Sequence, residues 1–144
     1  YGLCIVFFCA KGRNGEDIFD PELEKREGIF PQYVRGDIDC YHISYYASAP
    51  FNPWRITSNM RKSKGFYLVD NGRWGVRPGS NKIHKITLFK EKEHIQFAVD
   101  GKIVLDFYDD GETFGHVLGS GKIGLRQMQP MRARYSNFTV YEVN

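Results

Sequence analysis

The feature that most constrains this chain is an alternation of apolar and polar residues with a period of two across residues 94–108. Every second position on either side of Asp100-Gly101 is apolar: Ile95, Phe97, Val99, Ile103, Leu105 and Phe107. A period of two is that of a β-strand, in which alternate side chains face opposite sides of a sheet. Asp-Gly between two such runs is typical of a type I′ turn, because both turn positions need a positive φ. Residues 94–108 are therefore predicted to form a β-hairpin.

The same short period recurs along most of the 144 residues, and no segment carries the apolar stripe of a three-turn helix. Further strands are predicted at residues 3–9, 41–47, 54–60, 66–69, 84–90, 122–128 and 135–143. Residues 11–39 are polar and punctuated by Gly and Pro, which predicts a long loop with one helical turn near residues 21–25. The pattern predicts a single all-β domain over residues 1–144, built as a sandwich or a barrel.

Composition argues against several classes of partner. The net charge of +3 is too small to indicate a nucleic-acid-binding protein. No apolar run approaches the roughly 20 residues that a membrane-spanning helix needs. Cys4, Cys9 and Cys40 lack the spacing of a metal site, so no metal is predicted at them. We expect them to be buried free thiols in a reducing compartment, which favours a cytoplasmic location.

Strand parity separates a core face from an outer face and brings one set of polar residues together. On residues 41–47, Tyr41, Ile43 and Tyr45 form the expected core set. The outer faces of neighbouring strands would then share six residues: His42, Tyr46, Asn59, Arg61, Tyr67 and Arg126. Tyr stacks on sugar rings, and Asn and Arg donate to hydroxyls or to a carboxylate. This surface is either a saccharide groove or a solvated outer face without a ligand.

Catalytic chemistry is less defined in the sequence. His42 is a candidate acid or base, because its ordinary pKa lies near neutrality, although a structural, hydrogen-bonded His is the commoner case. No strand carries the pair of carboxyl groups that a glycosidase needs. A lyase fits the visible residues better, with His42 or Tyr67 handling the proton and Arg61 neutralising charge. The acidic clusters of the two long loops are candidate Ca²⁺ sites or solvated loop residues.

Several long blocks of this chain resemble the YesU-like bacterial family, a concanavalin-like group of unknown function. The blocks are residues 2–8, 10–21, 36–38, 41–46, 59–63, 65–66, 109–113, 121–128 and 135–137. The resemblance implies a concanavalin-like jelly-roll sandwich of two antiparallel sheets. It also implies that N-terminal strands are missing here, because family members are longer at that end. The resemblance implies that plant or algal polysaccharide is the context in which the protein functions. The 10–21 block also makes four residues candidates for the rim of the site: Lys11, Arg13, Asn14 and Asp17.

The leading hypothesis is a protein that recognises an oligo- or polysaccharide, with uronate-containing sugars as one candidate class. Its candidate ligand-binding residues are the six outer-face residues and the four of the loop. One alternative is a polysaccharide lyase or glycoside hydrolase that uses His42, Tyr67 and Arg61. Another is a non-catalytic module whose exposed aromatic residues bind protein.

Overall fold

Eight β-strands in two antiparallel sheets organise residues 2–48 and 57–143, which are the residues described by a computed structural model. The strands are β1 (Gly2–Gly12), β2 (Ile38–Ser48), β3 (Asn59–Lys62), β4 (Tyr67–Asn71), β5 (Ile86–Glu91), β6 (His94–Val99), β7 (Lys102–Tyr108) and β8 (Lys122–Met128). Two short 3₁₀ segments, Phe30–Tyr33 and Lys64–Phe66, are the helical elements of the described chain.

The two sheets pack face to face around one apolar core. Sheet A has the order β4-β3-β2-β1-β8, and sheet B has the order β5-β6-β7. The core contains fully buried residues of both sheets: Tyr41, Ile43, Met60, Ile95 and Phe97. The predicted core set of β2 is therefore confirmed. Burial of these side chains from two separate sheets confirms the predicted sandwich, because each sheet must cover one apolar face.

The predicted hairpin of residues 94–108 is present as β6 and β7. Asp100 and Gly101 connect these strands with φ values of +52° and +76°. These left-handed conformations are those that a type I′ turn requires at both central positions. The strand prediction for residues 122–128 is also confirmed, with the same bounds.

Strand register divides sheet A into a core face and an outer face, the latter facing away from sheet B. Ile5 and Phe7 of β1 lie on the outer face, and they pair with Ser44 and His42 of β2. A register shift between Phe8 and Lys11, where Cys9 has a φ of +53°, ends this regular alternation. The outer face therefore carries both apolar and polar side chains at the centre of the sheet.

A buried polar cluster ties the loop after β7 to sheet A. Asp109 forms an ion pair of 2.7 Å with Lys62, and Tyr41 donates its hydroxyl proton to the same carboxylate. Lys62 also donates to the carbonyl oxygens of Gly115 and His116 at 2.7 and 3.0 Å. Burial, together with the bond to Asp109, raises the pKa of Tyr41 well above its ordinary value. The buried charges are thus paired and hydrogen-bonded, as stability requires.

Three predictions about regular structure differ from the observed fold. The helical turn of the long loop lies at Phe30–Tyr33 and not at residues 21–25, because Pro31 occupies the start of this 3₁₀ segment. Residues 135–143 form no strand, since no other strand of the described chain pairs with them. The predicted strand at residues 54–60 falls partly outside the described residues, and the observed strand begins at Asn59.

Candidate functional site

The long loop between β1 and β2 folds across the outer face of sheet A. Its residues 28–33, which we call the strap, make two contacts with sheet A and a third with Phe66 of the segment Lys64–Phe66. The Gly28 carbonyl accepts a hydrogen bond of 2.9 Å from Arg126, and Tyr33 packs on Phe7 with ring centroids 5.8 Å apart. Phe30 meets Phe66 edge to face at 5.1 Å. The strap therefore covers one particular part of the outer face.

His42 lies at the centre of the covered region and is only 5% exposed. Its ring is 5.2 Å from that of Phe7 and 5.4 Å from that of Phe66. Neither ring nitrogen has a hydrogen-bond partner within the part of the chain that the structure describes. Burial, with the positive charges of Arg61 and Arg126, lowers the pKa of His42 to about 4. His42 is thus neutral at physiological pH, with one donor and one acceptor nitrogen unused.

Two arginines lie near His42: Arg61 on the neighbouring strand β3, and Arg126 on β8, two strands away from β2. Arg61 pairs with His42 across β3 and β2, donates to the Phe66 carbonyl at 2.9 Å and lies 4.2 Å from the Phe66 ring. Arg126 pairs with Ile5, and its guanidinium lies 4.6 Å from the Tyr33 ring. No carboxylate of the described residues forms a salt bridge with Arg126. We call Phe7, His42, Arg61, Phe66 and Arg126 the outer-face site.

A cleft of about 610 Å³ opens beside this site, between the long loop and strand β8. Its walls combine aromatic rings with cationic side chains, including Phe7, Tyr33, Arg26, Lys122 and Arg126. Arg26 is held by Asp37 at 3.7 Å, and Lys122 by Asp17 at 3.0 Å. The volume lies within the range of small-molecule sites, which are mostly apolar and carry a few polar groups that fix orientation.

Four of the six predicted outer-face residues do lie on the outer face: His42, Asn59, Arg61 and Arg126. Asn59 pairs with Ser44 on β2, and its side-chain oxygen accepts hydrogen bonds from Asn71 at 2.7 Å and from Thr57 at 3.2 Å. These contacts fix Asn59 within the edge of sheet A. His42, Arg61 and Arg126 are the predicted residues that the fold brings to the strap.

Tyr46 is not on the outer face, contrary to the prediction. A register shift places one extra residue, Tyr45, between the pairs Cys4–Tyr46 and Ile5–Ser44. Beyond this bulge the parity is reversed, so Tyr46 pairs with the core residue Cys4 and packs against the core cluster.

Tyr67 was also predicted on the outer face, and the structure places Phe66 there instead. Phe66 adopts a φ of +58° after Gly65, at +81°, and this turn brings its ring to Arg61 and His42. Tyr67 pairs with Lys62, whose side chain points into the core, and it contacts Phe114. Sequence parity fails here because it assumes extended backbone throughout the strand.

The four loop residues predicted at the site rim mostly bind the loop to itself or to its neighbours. Lys11 donates to Ser120 at 2.9 Å, Arg13 donates to the Arg35 and Gly36 carbonyls, and Asn14 donates to Glu16 at 2.9 Å. Asp17 accepts from the backbone of Phe19 at 3.0 Å and pairs with Lys122 at the cleft. Hydrogen bonding to Phe19 and Lys122 lowers the pKa of Asp17.

The cysteines are free thiols, as predicted. Burial raises the pKa of the Cys40 thiol to about 12 and also raises those of Cys4 and Cys9. High thiol pKa values disfavour the reactive thiolate form. Within residues 2–48 and 57–143, no group of three or more His, Cys, Asp or Glu is arranged to hold a metal ion.

Neither helical segment of the described residues has the length and apolar character that crossing a membrane would need.

Sequence reasoning missed the residues that give the site its shape: Phe7, Phe30, Tyr33, Phe66 and Arg26. Phe7 belongs to an apolar run in which both faces are buried, so its parity carries no signal. The others belong to irregular segments, where side-chain direction depends on the loop conformation. The composition of the segment containing Phe30, Pro31 and Tyr33, aromatic and interrupted by proline, was the one available indication of a packed strap.

Comparison with known proteins places this chain in a family. Residues 1–140 match the family described as "Domain of unknown function (DUF1961)". The chain belongs to this family. It is also 43% identical over 145 residues to "Uncharacterized protein YesU" of Bacillus subtilis (strain 168), an alignment that covers 98% of this chain and 66% of the relative. The predicted resemblance to YesU-like proteins is confirmed.

A solved structure supports the fold of this DUF1961 chain. It is described as a protein of unknown function with a galectin-like fold from Bacillus subtilis, and it matches with a TM-score of 0.86 at 42% identity. The match covers 91% of this chain and 61% of that chain, so the sequence spans about two thirds of the length of the relatives it matches. The jelly-roll type of sandwich that the sequence predicts is confirmed by this likeness.

Proposed function

We propose that this DUF1961 chain binds an oligo- or polysaccharide at the outer-face site and the adjoining cleft. The observation that carries the proposal is His42, which is buried among aromatic rings and whose two ring nitrogens have no hydrogen-bond partner among residues 2–48 and 57–143. Buried polar groups in folded proteins are nearly always hydrogen-bonded, and leaving one unpaired costs about 1–3 kcal/mol. A ligand that completes these bonds offsets this cost when it binds.

The chemistry of the site fits a sugar. A neutral imidazole offers one donor and one acceptor, and a hydroxyl group matches either of them. The Phe7 ring, on which Tyr33 of the strap packs with ring centroids 5.8 Å apart, offers an apolar face to the C–H side of a pyranose once the strap moves. Arg126, which has no carboxylate partner among the described residues, suits an acidic sugar such as a uronate, whose carboxylate it can bind in a bidentate manner. We propose plant or algal polysaccharides rich in uronates as the class of ligand.

Access to His42 requires the strap to move. A ligand in the cleft first meets Phe7 and Arg126, and it competes with the Gly28 carbonyl for the Arg126 guanidinium. Displacement of the strap then exposes the imidazole of His42, which is the direct cross-strand partner of Phe7 on β2. The proposed binding event is therefore coupled to opening of residues 28–33.

A thermal-shift screen against uronate-containing and neutral oligosaccharides, with and without Ca²⁺, tests the proposal. A ligand that binds only the folded state raises the melting temperature. At a ligand concentration of about one hundred times Kd, it adds about 2.7 kcal/mol to the free energy of unfolding. Arg126→Gln should abolish the shift. Arg134→Gln is the matched control, because Arg134 is an exposed residue that lies outside the cleft lining.

Two outcomes would contradict the proposal. A shift of equal size in the Arg126→Gln and Arg134→Gln variants would place binding elsewhere. No shift with any saccharide, together with a protein that co-purifies with the chain, would favour the interaction-module alternative.

The enzyme alternative receives less support from the geometry. His42 and Tyr67 were its candidate proton carriers, but Tyr67 pairs with Lys62 and contacts Phe114, away from His42. Catalysis by His42 and Arg61 alone would be detected as absorbance of an unsaturated uronate product, and we expect none.

A further inference from the structure

Ser80, His84 and Asp100 form a chain of two short hydrogen bonds at the surface, remote in sequence from the outer-face site. Ser80 Oγ lies 2.6 Å from His84 Nε2, and His84 Nδ1 lies 2.7 Å from Asp100 Oδ2. His84 is largely shielded, with 20% of its side chain exposed. A hydroxyl, an imidazole and a carboxylate joined in this order are the elements of a Ser-His-Asp triad, which is recognised by geometry and not by sequence order.

The proton positions follow from the partners. The Asp100 carboxylate can only accept, so the neutral imidazole carries its proton on Nδ1 and donates it to Asp100. Nε2 then carries the lone pair, and Ser80 donates its hydroxyl proton to it. This is the arrangement in which the imidazole acts as a general base toward the serine oxygen. A hydrogen bond from His84 lowers the pKa of Asp100, followed by one from the Lys85 backbone.

Both ends of this chain are held by backbone geometry. Asp100 is the first turn residue of the β6–β7 hairpin, and it is linked to Lys85 twice: its N–H donates to the Lys85 carbonyl at 2.8 Å, and its Oδ1 accepts from the Lys85 N–H at 2.9 Å. Ser80 closes a turn by donating its N–H to the Arg77 carbonyl at 3.2 Å, with Gly79 at a φ of +80°. The Ser80 hydroxyl and the Asp100 carboxylate are therefore each held in place by a turn.

We propose that Ser80 is a nucleophile that takes the acyl group of small carboxylic esters, with His84 as general base and Asp100 as a positioning residue. The Oγ–C bond forms as the Ser80 proton moves to Nε2, and the ester C–O bond breaks as that proton passes to the leaving alcohol oxygen. Water then attacks the acyl-serine by the same route, releasing the carboxylic acid and restoring Ser80.

The space beside Ser80 is open on the side of Gly79. Ser80 is half-buried, and no atom of the described residues lies within 4 Å of the position that a Cβ would take on the adjacent Gly79. The approach from solvent is open on this side. A short acyl group, such as the acetyl ester of an alcohol or of a sugar hydroxyl, can therefore reach Oγ from solvent. This activity is independent of saccharide binding at the outer-face site.

Labelling of the chain with a fluorophosphonate probe tests the proposal, because the probe reacts with activated serines and releases fluoride. We expect intact-mass detection of one adduct, mapped to Ser80, and slow release of nitrophenol from p-nitrophenyl acetate. Ser80→Ala should remove the adduct, and His84→Gln should lower the labelling rate at least about 100-fold. The native protein should also lose labelling in concentrated urea, which shows that the reaction depends on the fold.

The matched control is His94→Gln, since His94 forms an equivalent 2.7 Å contact with Asp106 but accepts no hydrogen bond from a serine of the described residues. This variant should be labelled like the native protein. No adduct on native Ser80, or a rate unchanged by His84→Gln, would overturn the proposal.

The positioning role of Asp100 has a spectroscopic signature. Imidazole ¹⁵N shifts should report the Nδ1–H tautomer of His84 in the native protein. Asp100→Asn should change the tautomer population and lower the labelling rate together. A lower rate with an unchanged tautomer would show that Asp100 acts only through stability.

Discussion

His42 makes the stability of this protein depend on pH in a defined window. Its native pKa is about 4, because the imidazole is buried and lies near Arg61 and Arg126. In the unfolded chain an imidazole titrates near pH 6.5. Between about pH 6.5 and 4 the unfolded state therefore binds more protons than the native state, so the free energy of unfolding must fall as the pH falls. The stabilisation from keeping His42 neutral is therefore complete above about pH 6.5 and is lost as the pH falls toward 4.

The size of this effect follows from the two pKa values. At about 1.4 kcal/mol per pKa unit, full protonation costs about 3 kcal/mol, and the loss between pH 7 and pH 5 is about 2 kcal/mol. Carboxylates with lowered pKa values, such as Asp17 and Asp106, stabilise the fold at pH values above the ordinary carboxyl pKa. This stabilisation is lost only as the pH falls below about 4. Among the described groups whose pKa values are shifted, His42 therefore dominates the window from pH 7 to pH 5.

The variant that isolates this term is His42→Phe. Phenylalanine fits among the Phe7 and Phe66 rings and has neither a titrating group nor unpaired nitrogens. We expect its free energy of unfolding at pH 7 to exceed that of the native protein by about 1–3 kcal/mol. Urea unfolding followed by tryptophan fluorescence, at half-unit steps of pH, gives the difference between the two proteins. That difference should widen by about 2 kcal/mol at pH 5, and a constant difference would refute the reasoning.

Further predictions concern the buried charges and two glycines. Lys62→Met should lower the free energy of unfolding by about 3–5 kcal/mol in urea, because it leaves the Asp109 charge buried without its cation. The double variant with Asp109→Asn should recover part of this loss. Additive losses from the two substitutions would contradict the account. Gly72→Ala should cost more than about 2 kcal/mol, since its Cβ would stand 1.6 Å from the Val104 carbonyl oxygen. At Gly101 a Cβ would meet open space, but the φ of +76° is strained for alanine, so Gly101→Ala should cost only about 1–2 kcal/mol by thermal unfolding. Equal losses at both glycines would be inconsistent with the close approach of Gly72 to Val104.

Those parts of the fold that depend on neighbouring residues were predictable from the sequence. The Asp100-Gly101 hairpin is defined within fifteen residues, and the core set Tyr41, Ile43 and Tyr45 follows from a period of two. The division into two sheets is a consequence of that alternation, because each apolar face needs a cover. Pairing order among distant strands was not readable from one sequence.

The candidate site was only partly predictable, for two physical reasons. Parity holds only while the backbone stays extended, so the bulge at Tyr45 misplaced Tyr46 and the positive φ of Phe66 misplaced Tyr67. The strap depends on contacts between residues far apart in sequence, such as Gly28 with Arg126. Local patterns carry no information about such contacts.

The most direct test of saccharide binding at the outer-face site is a titration of ¹⁵N-labelled protein with the oligosaccharide that gives the largest thermal shift. If the account is right, the largest changes in NMR chemical shift will fall on the amides of residues 28–33, on His42 and on the Arg126 side chain, because the ligand replaces the strap there. Saturable changes that cluster on sheet B while the strap and His42 stay unperturbed would contradict it.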